Sequence, residues 1–374
     1  MKPYIYADNA ATTRLDPDAF EAMKPYLLEE YGNPSQPYFF SERPKEAISE
    51  AKEVIARCIN ASPDEIYFTS GGTESDNWAI KGLPLALHRR DEIITTEIEH
   101  HAVLKACCAA KELGYHITYL PVTNEGTVLP EALRSAVSDK TKLVSIMTAN
   151  NEIGTVEPIK QLCEISHEKG ALFHTDAVQA VGHIKIDVKE LGVDLLSASA
   201  HKFGGPKGVG FLYIKKETDI SPIIVGGAQQ QEMRAGSENV PGIVGMAAAL
   251  KKSCEEMDKT SQHLQVLEGI LTSRLNKSGI DYIRNGSAEH LPGLISLSFK
   301  GADGELIFNR LDLMSIYVST GAACNGTESK LSHVIEAIKC DPLYARGTIR
   351  ISFGKSNTED DAENIAKAIC DILK

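Results

Sequence analysis

The sequence predicts an α/β fold in which a mostly parallel sheet is flanked by helices. Short apolar runs alternate with stretches of helical periodicity, which is the pattern of parallel strands joined by crossover helices. No internal repeat or low-complexity segment interrupts the alternation. At 374 residues, the chain is long enough for one large domain and a smaller companion.

Two helices are predicted before the first strand of this sheet. Asp16 and Pro17 favour a helix start and Gly32 a helix end, so we expect the first helix between them. An amphipathic pattern predicts the second helix from Glu46 to Ile59. Both helices are expected to cover the sheet.

Seven strands are predicted for the central sheet. In chain order they are EIYFTS, DEIITT, HITYLPV, LVSIMTAN, ALFHTDA, DLLSASA and GVGFLYI. Most are separated by helical patterns such as TESDNWAIKGLPLAL and PIKQLCEISHEKG. Strands that alternate with helices in this way are typical of a parallel sheet.

Beyond Pro241 the pattern changes, beginning with a long helical tract that extends to about Asn276. It is followed by the strand-like segments DYIRN, LISLSFKG, YVST and TIRISFG and by helices that begin at Asp303 and Thr358. We therefore predict a large domain over residues 16–250 and a smaller α+β domain formed by residues 1–15 and 251–374.

The composition disfavours several classes of function. Basic residues number 39 and acidic residues 51, for a formal net charge of −12, and no basic run offers a surface for nucleic acid. The start, MKPYIYADNAATT, lacks a signal-peptide core, and no later stretch reaches the ~20 apolar residues of a membrane span, so we expect a cytoplasmic protein without a membrane partner. Eight cysteines without a CxxC pair are expected to be reduced thiols, and no metal site is predicted.

Three segments at predicted strand ends carry the candidate site residues. In FTSGGTESDNWAI, a strand, a Gly-Gly turn and a helix start leave backbone N–H groups that could bind phosphate, although an ordinary capped turn has the same pattern. In SASAHKFGGPKGVG, Ser199, His201 and Lys202 follow an apolar strand. Asp176 ends the strand ALFHTD and Gln179 follows it, at the edge where α/β sheets bind ligands.

An anion hole, a strand-end carboxylate and a strand-end amine are together what pyridoxal phosphate (PLP) requires. Taken singly, Lys202 would be interpreted as a solvated lysine and Asp176 as a helix N-cap. His100 closes the strand-like segment IITTEIEHH and could stack on a ring or shuttle protons, although either His100 or His101 could be structural. A nicotinamide-binding protein is disfavoured because no GxGxxG motif opens a helix after the first strand.

Ten motifs in order, over nearly the whole chain, resemble those of the NifS/IscS group of cysteine desulfurases, which are class V aminotransferase-like enzymes. The motifs are YADNAATT, GNPS, FTSGGTESDN, EHHAV, ANNEIG, HTDAVQ, SASAHKFGGPKGVG, RAGSENV, VSTGAACNG and TIRISFG. The resemblance implies a fold type I PLP-dependent transferase. It also implies that the protein removes sulfur from L-cysteine and releases L-alanine.

The resemblance implies a role for each matching residue. Lys202 would form a Schiff base with PLP and act as a base, and Cys324 would carry the sulfur as a persulfide. Arg350, on the strand TIRIS, would bind the substrate carboxylate, a task that suits a guanidinium. The implied cofactor and substrate contacts are Gly72, Thr73, Ser199, His201 and the neighbouring subunit's Ser237 for phosphate, Asp176 for the ring nitrogen, Gln179 and Asn151 for the phenolic oxygen, His100 for the ring face and Asn151 also for the substrate.

The implied partners are a second copy of the chain and a sulfur-acceptor protein, which would serve iron–sulfur cluster assembly, tRNA thiolation or another thio-modification. Two segments depart from the group's pattern: GAACNG at residues 321–326 replaces the usual GSACTS, and bulky QPYFF at residues 36–40 follows GNPS. A selenocysteine lyase or another PLP-dependent β-lyase is therefore an alternative, and so is a persulfide carrier or scaffold. Neither alternative requires that Cys324 remove sulfur from cysteine.

Overall fold

A seven-stranded sheet lies at the centre of the computed structural model, which describes residues 4–83, 90–320 and 331–374. Its strands are β2 (Ile66–Thr69), β3 (Glu92–Thr96), β4 (His116–Leu120), β5 (Thr141–Ser145), β6 (Leu172–Asp176), β7 (Leu195–Ser199) and β8 (Gly210–Ile214), and β1 (Ile5–Tyr6) precedes them in the chain. They pair in the order β2-β8-β7-β6-β5-β3-β4. Strand β8 is antiparallel to both neighbours and the other pairs are parallel, so the predicted mostly parallel seven-stranded sheet is confirmed.

Helices cover this sheet and connect its strands. They are α1 (Pro17–Leu28), α2 (Glu42–Ile59), α3 (Gly72–Lys81), α4 (His101–Glu112), α5 (Pro130–Ala136), α6 (Ile159–Glu168), α7 (Val188–Leu191) and α8 (Val240–Glu255). The prediction that α1 extends to Gly32 was wrong. Gly32 lies in an irregular segment after the helix, where a Cβ atom would lie 2.6 Å from the carbonyl oxygen of Phe40. Helix α2 begins four residues before the predicted Glu46, since Pro44 falls in its first turn, where proline is tolerated.

The remaining elements form a smaller layer beside the sheet. They are α9 (Met257–Ser278), β9 (Tyr282–Asn285), β10 (Leu294–Phe299), α10 (Gly304–Leu313), β11 (Ile316–Tyr317), α11 (His333–Ala337), α12 (Pro342–Ala345), β12 (Thr348–Ser352) and α13 (Glu359–Leu373). Strands β12, β10 and β9 form an antiparallel sheet, whereas β11 pairs in parallel with β1. The helices expected from Asp303 and Thr358 are capped by these two residues.

Four separate apolar cores are found among the described residues, and two of them explain how the long helices pack. Phe173 and Phe211 belong to the core beside the seven-stranded sheet, where α8 packs against α1 and α2. Phe299 and Ile369 belong to the second core, where α9 packs against α13. The predicted single helical tract is thus two helices that meet at Glu256, because each faces a different core. The exact domain boundaries at residues 15 and 250 stay a prediction.

Within residues 4–83, 90–320 and 331–374, no helix is long and apolar enough to cross a bilayer.

Candidate active site

A cavity of about 1650 Å³ lies at the carboxyl edge of the seven-stranded sheet and is also lined by residues of the smaller layer. Side chains from separate segments of the chain converge on it. Parallel strands align their carboxyl ends at one edge, which explains how residues far apart in sequence meet here. Of the predicted site residues, the cavity is lined by Gly72, Thr73, His100, Asn151, Asp176, Gln179, Ser199, His201, Lys202 and Arg350.

The Gly-Gly turn between β2 and α3 forms one end of the cavity. Ser75 N donates the first hydrogen bond of α3 to the carbonyl of Gly71, so the amides of Gly72 and Thr73 precede the intrahelical ladder. Gly71 has a φ of +148°, and a Cβ atom on Gly72 would lie 2.5 Å from Cγ2 of Val178. Only glycines allow this close approach, and it directs free amides and the positive end of a helix into the cavity.

Ser199 and His201 lie beside this turn, at the end of β7. Ser199 is buried, and a Cβ atom built on Gly71 would lie 3.5 Å from its Oγ. The Nδ1 atom of His201 is 3.1 Å from Oγ1 of Thr12. Burial, aided by the charges of Lys202 and Lys207, lowers the pKa of His201 to about 4. This end of the cavity therefore offers neutral hydrogen-bonding side chains and amide donors to an anion.

Lys202 is held in the short turn that follows β7. Its Nζ donates to the carbonyl oxygens of Ala10 at 2.6 Å and Ala11 at 3.0 Å. Burial, followed by the positive charge of Arg350, lowers the pKa of Lys202 to about 8, against the opposing charge of Asp176. A substantial fraction of this amine is consequently neutral near physiological pH, as nucleophilic chemistry requires.

Asp176 and Gln179 lie where β6 ends. Asp176 is buried, and its Oδ1 accepts a hydrogen bond of 2.9 Å from the amide of Val178. Burial raises the pKa of Asp176, whereas the charges of His100 and Lys202 oppose the rise. Gln179 Nε2 donates to the carbonyl of Ala10, which Lys202 also contacts. The predicted carboxylate and amide therefore belong to one connected set with the amine.

His100 caps helix α4 and does not end a strand as predicted. Strand β3 ends at Thr96, and the Nδ1 atom of His100 accepts a hydrogen bond of 3.1 Å from the amide of Ala102. The acceptor role of Nδ1 places the ring proton of the neutral form on Nε2. Burial lowers the pKa of His100, so the ring is mostly neutral at physiological pH.

Arg350 enters the cavity from β12, on the side of the smaller layer. Its Nη2 forms an ion pair of 2.6 Å with Oδ1 of Asp8, and its Nη1 donates to the backbone carbonyl of Asn151 at 2.9 Å. The side chain is 8% exposed. These two contacts fix the plane of a guanidinium that has five N–H donors in all, and bidentate recognition of a carboxylate needs such a fixed plane.

Two predicted site residues are not placed in the cavity by the described ranges, for different reasons. Ser237 is exposed on the segment before α8 and is not among the lining residues. Its expected contact with a neighbouring subunit stays a prediction. Cys324 lies outside the described residues.

The residues present fit PLP. The Gly72 amide, the Lys202 amine and the Asp176 carboxylate match its phosphate, aldehyde and pyridine nitrogen, and the absence of a Cβ atom on Gly72 lets the amides of the turn approach Val178 at the cavity.

Comparison with known proteins agrees with this arrangement. A family model described as "Aminotransferase class-V" matches residues 5–365, and the chain belongs to this family of PLP-dependent enzymes. The resemblance, the fold class and the cofactor predicted from the sequence are thereby confirmed.

Individual relatives and solved structures are similar to this chain over nearly its whole length. A protein of Dictyoglomus turgidum named "Cysteine desulfurase IscS" is 50% identical over 96% of this chain and 92% of its own length. Its namesake in Methanosarcina thermophila is 44% identical over 99% and 92%. A solved "NIFS-LIKE PROTEIN" has a TM-score of 0.93 at 40% identity and covers 99% of both chains. Another, "SspA in complex with cysteine", has a TM-score of 0.83 at 33% identity over 95% of this chain and 100% of its own.

Three acidic residues of the site carried no role in the sequence analysis. Asp8 pairs with Arg350, Glu152 accepts a hydrogen bond from Ser332, and Asp76 is buried on α3. Each of the three lies within or beside a motif quoted above, but a single acidic residue in a polar motif does not reveal whether it faces solvent or the interior.

Proposed function

We propose that the protein is a PLP-dependent cysteine desulfurase, which removes sulfur from L-cysteine, releases L-alanine and carries the sulfur as a persulfide on Cys324. The observation that carries the proposal is that one cavity joins the Lys202 amine, the Asp176 carboxylate and the Arg350 guanidinium. Relatives named cysteine desulfurase, similar over nearly their whole length, support it.

The sheet side of the cavity would hold the cofactor. The amides of Gly72 and Thr73, with the side chains of Ser199 and His201, supply donors for the phosphate. Asp176, Gln179, Asn151 and His100 would contact the ring. Bound PLP supplies an electron sink that makes the bonds at Cα of an amino acid labile.

The chain's own groups would then position L-cysteine and move its protons. Arg350 binds the substrate carboxylate, which fixes Cα relative to Lys202. Lys202 can act as a base because its pKa is lowered to about 8 by burial. His100 carries its proton on Nε2 and could donate that proton to a bound substrate or cofactor.

The sulfur step would take place at Cys324. Its thiolate attacks the sulfur of L-cysteine, the S–S bond forms, and the C–S bond of the substrate breaks. The carbon that loses sulfur gains a proton, so that L-cysteine and a thiol give L-alanine and a persulfide with no external oxidant. The persulfide would then pass to a thiol of an acceptor protein.

The partners and the location extend this proposal. We expect a homodimer in which Ser237 reaches the phosphate of the neighbouring subunit, and an acceptor protein in iron–sulfur assembly, tRNA thiolation or another thio-modification. The exposed position of Ser237 is compatible with such a contact. The cytoplasm stays the predicted location.

The decisive experiment measures alanine and sulfide from L-cysteine, with a thiol reductant, in the wild type, Cys324→Ala and Cys108→Ala. Cys108 is an exposed cysteine on α4 and serves as the matched control. We expect loss of turnover in Cys324→Ala alone. Turnover that does not depend on Cys324, with selenocysteine preferred to cysteine, would favour the lyase. A protein that binds PLP but releases no alanine from L-cysteine would contradict both enzymes and favour the carrier.

A further inference from the structure

A second buried carboxyl lies next to Asp176, and the proposed reaction does not use it. Asp76 is 1% exposed and projects from helix α3, one helical turn after Gly72. One oxygen of Asp76, one oxygen of Asp176 and one ring nitrogen of His100 lie within 4.8 Å of one another. Two buried carboxyl groups this close cannot both carry a full charge, so the pair retains a proton.

The groups around Asp76 decide where this proton resides. His174 Nε2 lies 3.7 Å from Oδ1 of Asp76, but burial lowers the pKa of His174 to about 3. The imidazole is therefore neutral and hydrogen-bonded to Ser145 and Ser197, at 2.8 and 3.0 Å, and cannot compensate a charge on Asp76. Oδ1 of Asp76 also lacks a hydrogen-bond partner among the described residues.

Asp176 has the better environment for a negative charge. The hydrogen bond from the Val178 amide and the charge of Lys202 both favour its ionised form. The pKa of Asp76 is raised well above its usual range by burial and then by the charge of Asp176, against a hydrogen bond from Ser197. The other titratable groups that face Asp76 are Glu99, before α4, and Cys107, on α4, and neither supplies a positive charge.

We infer that Asp76 is a positioning residue that stays protonated beside Asp176, so that Asp176 alone is the anion that faces the ring nitrogen. This inference rests on the proposed function, because it assigns the ring nitrogen to Asp176. The neutral carboxyl of Asp76 provides a polar neighbour that stabilises the charge of Asp176 without competing for cations. An apolar side chain would leave Asp176 surrounded by fewer dipoles and favour its neutral form.

Infrared spectroscopy of the full-length protein without PLP tests the protonation directly. Wild type and Asp76→Asn are compared at neutral pH in the C=O stretch region of protonated carboxyl groups. We expect the wild type to contain one such band that Asp76→Asn lacks. Identical spectra would overturn the inference, and the result does not depend on whether the protein is a desulfurase.

The affinity of the apoprotein for PLP tests the action through Asp176. Asp76→Asn keeps a neutral polar group of the same shape, so its dissociation constant should stay within about twofold of the wild type, whereas Asp76→Leu should bind about tenfold more weakly. The loss in Asp76→Leu should disappear when Asp176 is already Asn. If Asp76→Leu weakens PLP binding equally with Asp or Asn at position 176, Asp76 does not act through Asp176 and has only a structural role.

Two controls separate the possible failures. Circular dichroism of Asp76→Leu shows whether it folds; if it does not, the infrared comparison still decides the protonation. A wild type that fails to bind PLP would contradict the proposed function and leave the infrared result unaffected. A visible band of the bound cofactor that shifts its pH midpoint in Asp76→Leu and not in Asp76→Asn would support the inference further.

Discussion

The two walls of the cavity differ in origin. The sheet wall comprises Gly72, Asp176 and Lys202 and adjoins the core beside the seven-stranded sheet. The arginine wall is formed by Arg350, which pairs with Asp8 behind it and adjoins the smaller core. In our proposal the sheet wall holds the cofactor and the arginine wall holds the substrate carboxylate. Because the walls belong to separate cores, cofactor affinity and substrate affinity should respond to different substitutions.

The largest effect is expected from Lys202→Ala on the sheet wall. The variant loses both the amine that links PLP and the base, so kcat should fall by at least about 10³-fold. The visible band of the bound cofactor should also be lost, as absorbance after dialysis would show. Lys207→Ala is the matched control, since this lysine lines the same cavity. Full activity in Lys202→Ala would contradict the assignment.

A substitution on the arginine wall should separate the two affinities. Arg350→Lys keeps the positive charge and loses the planar fork, so the KM for cysteine should rise about 10- to 100-fold. The dissociation constant of PLP should change by less than about twofold, since a lysine keeps the positive charge that acts on Lys202. Steady-state kinetics and cofactor titration measure the two quantities. A weakened cofactor with an unchanged KM would reverse the assignment of the walls.

Gly72→Ala is the corresponding test on the sheet wall, because it adds a side chain to the Gly-Gly turn. The new Cβ atom would lie 2.5 Å from Val178, so either the turn or Val178 must shift. We expect PLP to bind about tenfold more weakly while the KM for cysteine of the loaded enzyme stays unchanged. Gly269→Ala on α9 is the control, because a Cβ atom there meets no other atom within 4 Å. Unchanged cofactor affinity would show that the turn is more adaptable than the distances suggest.

The smallest effect on cofactor or substrate affinity is expected from Glu157→Gln, because Glu157 belongs to neither wall. This variant tests burial alone. Burial raises the pKa of Glu157 from 4.5 to about 8. The native state therefore binds the proton more tightly, so stability from this group is complete below pH 4.5 and is lost as the pH rises toward 8. Glu157→Gln should reduce this loss by on the order of 2 kcal/mol.

Urea unfolding of the wild type and Glu157→Gln at pH values across this window measures the effect. Glu152, with a pKa raised to about 7, remains in both proteins and contributes the same slope. Parallel curves for the two proteins would mean that Glu157 is ionised in the native state.

Much of the sheet wall was predictable from the sequence. Polar residues occur at or just after the end of each apolar run, and the alternation of apolar runs with helical stretches predicts parallel strands. The sequence therefore predicted that Asp176 and Lys202 lie at the same edge of the sheet. The partnership of Asp8 with Arg350 was not predictable, because it joins residues from opposite ends of the chain. Asp76 was missed because its neighbours on α3 show a mixed pattern. The segment YVST lacks any local sign that β11 pairs with β1.

This last pairing has a consequence for biosynthesis. Strand β1 leaves the ribosome early, but its partner β11 begins only at Ile316. When β11 is synthesised, the seven strands of the central sheet and the helices that cover them are already complete. The larger core can therefore form before β1 pairs with its partner strand. Since Asp8 follows β1 directly, Arg350 acquires its ion-pair partner only in this final stage. Nascent chains are therefore expected to complete the larger core before the contact between Asp8 and Arg350 forms.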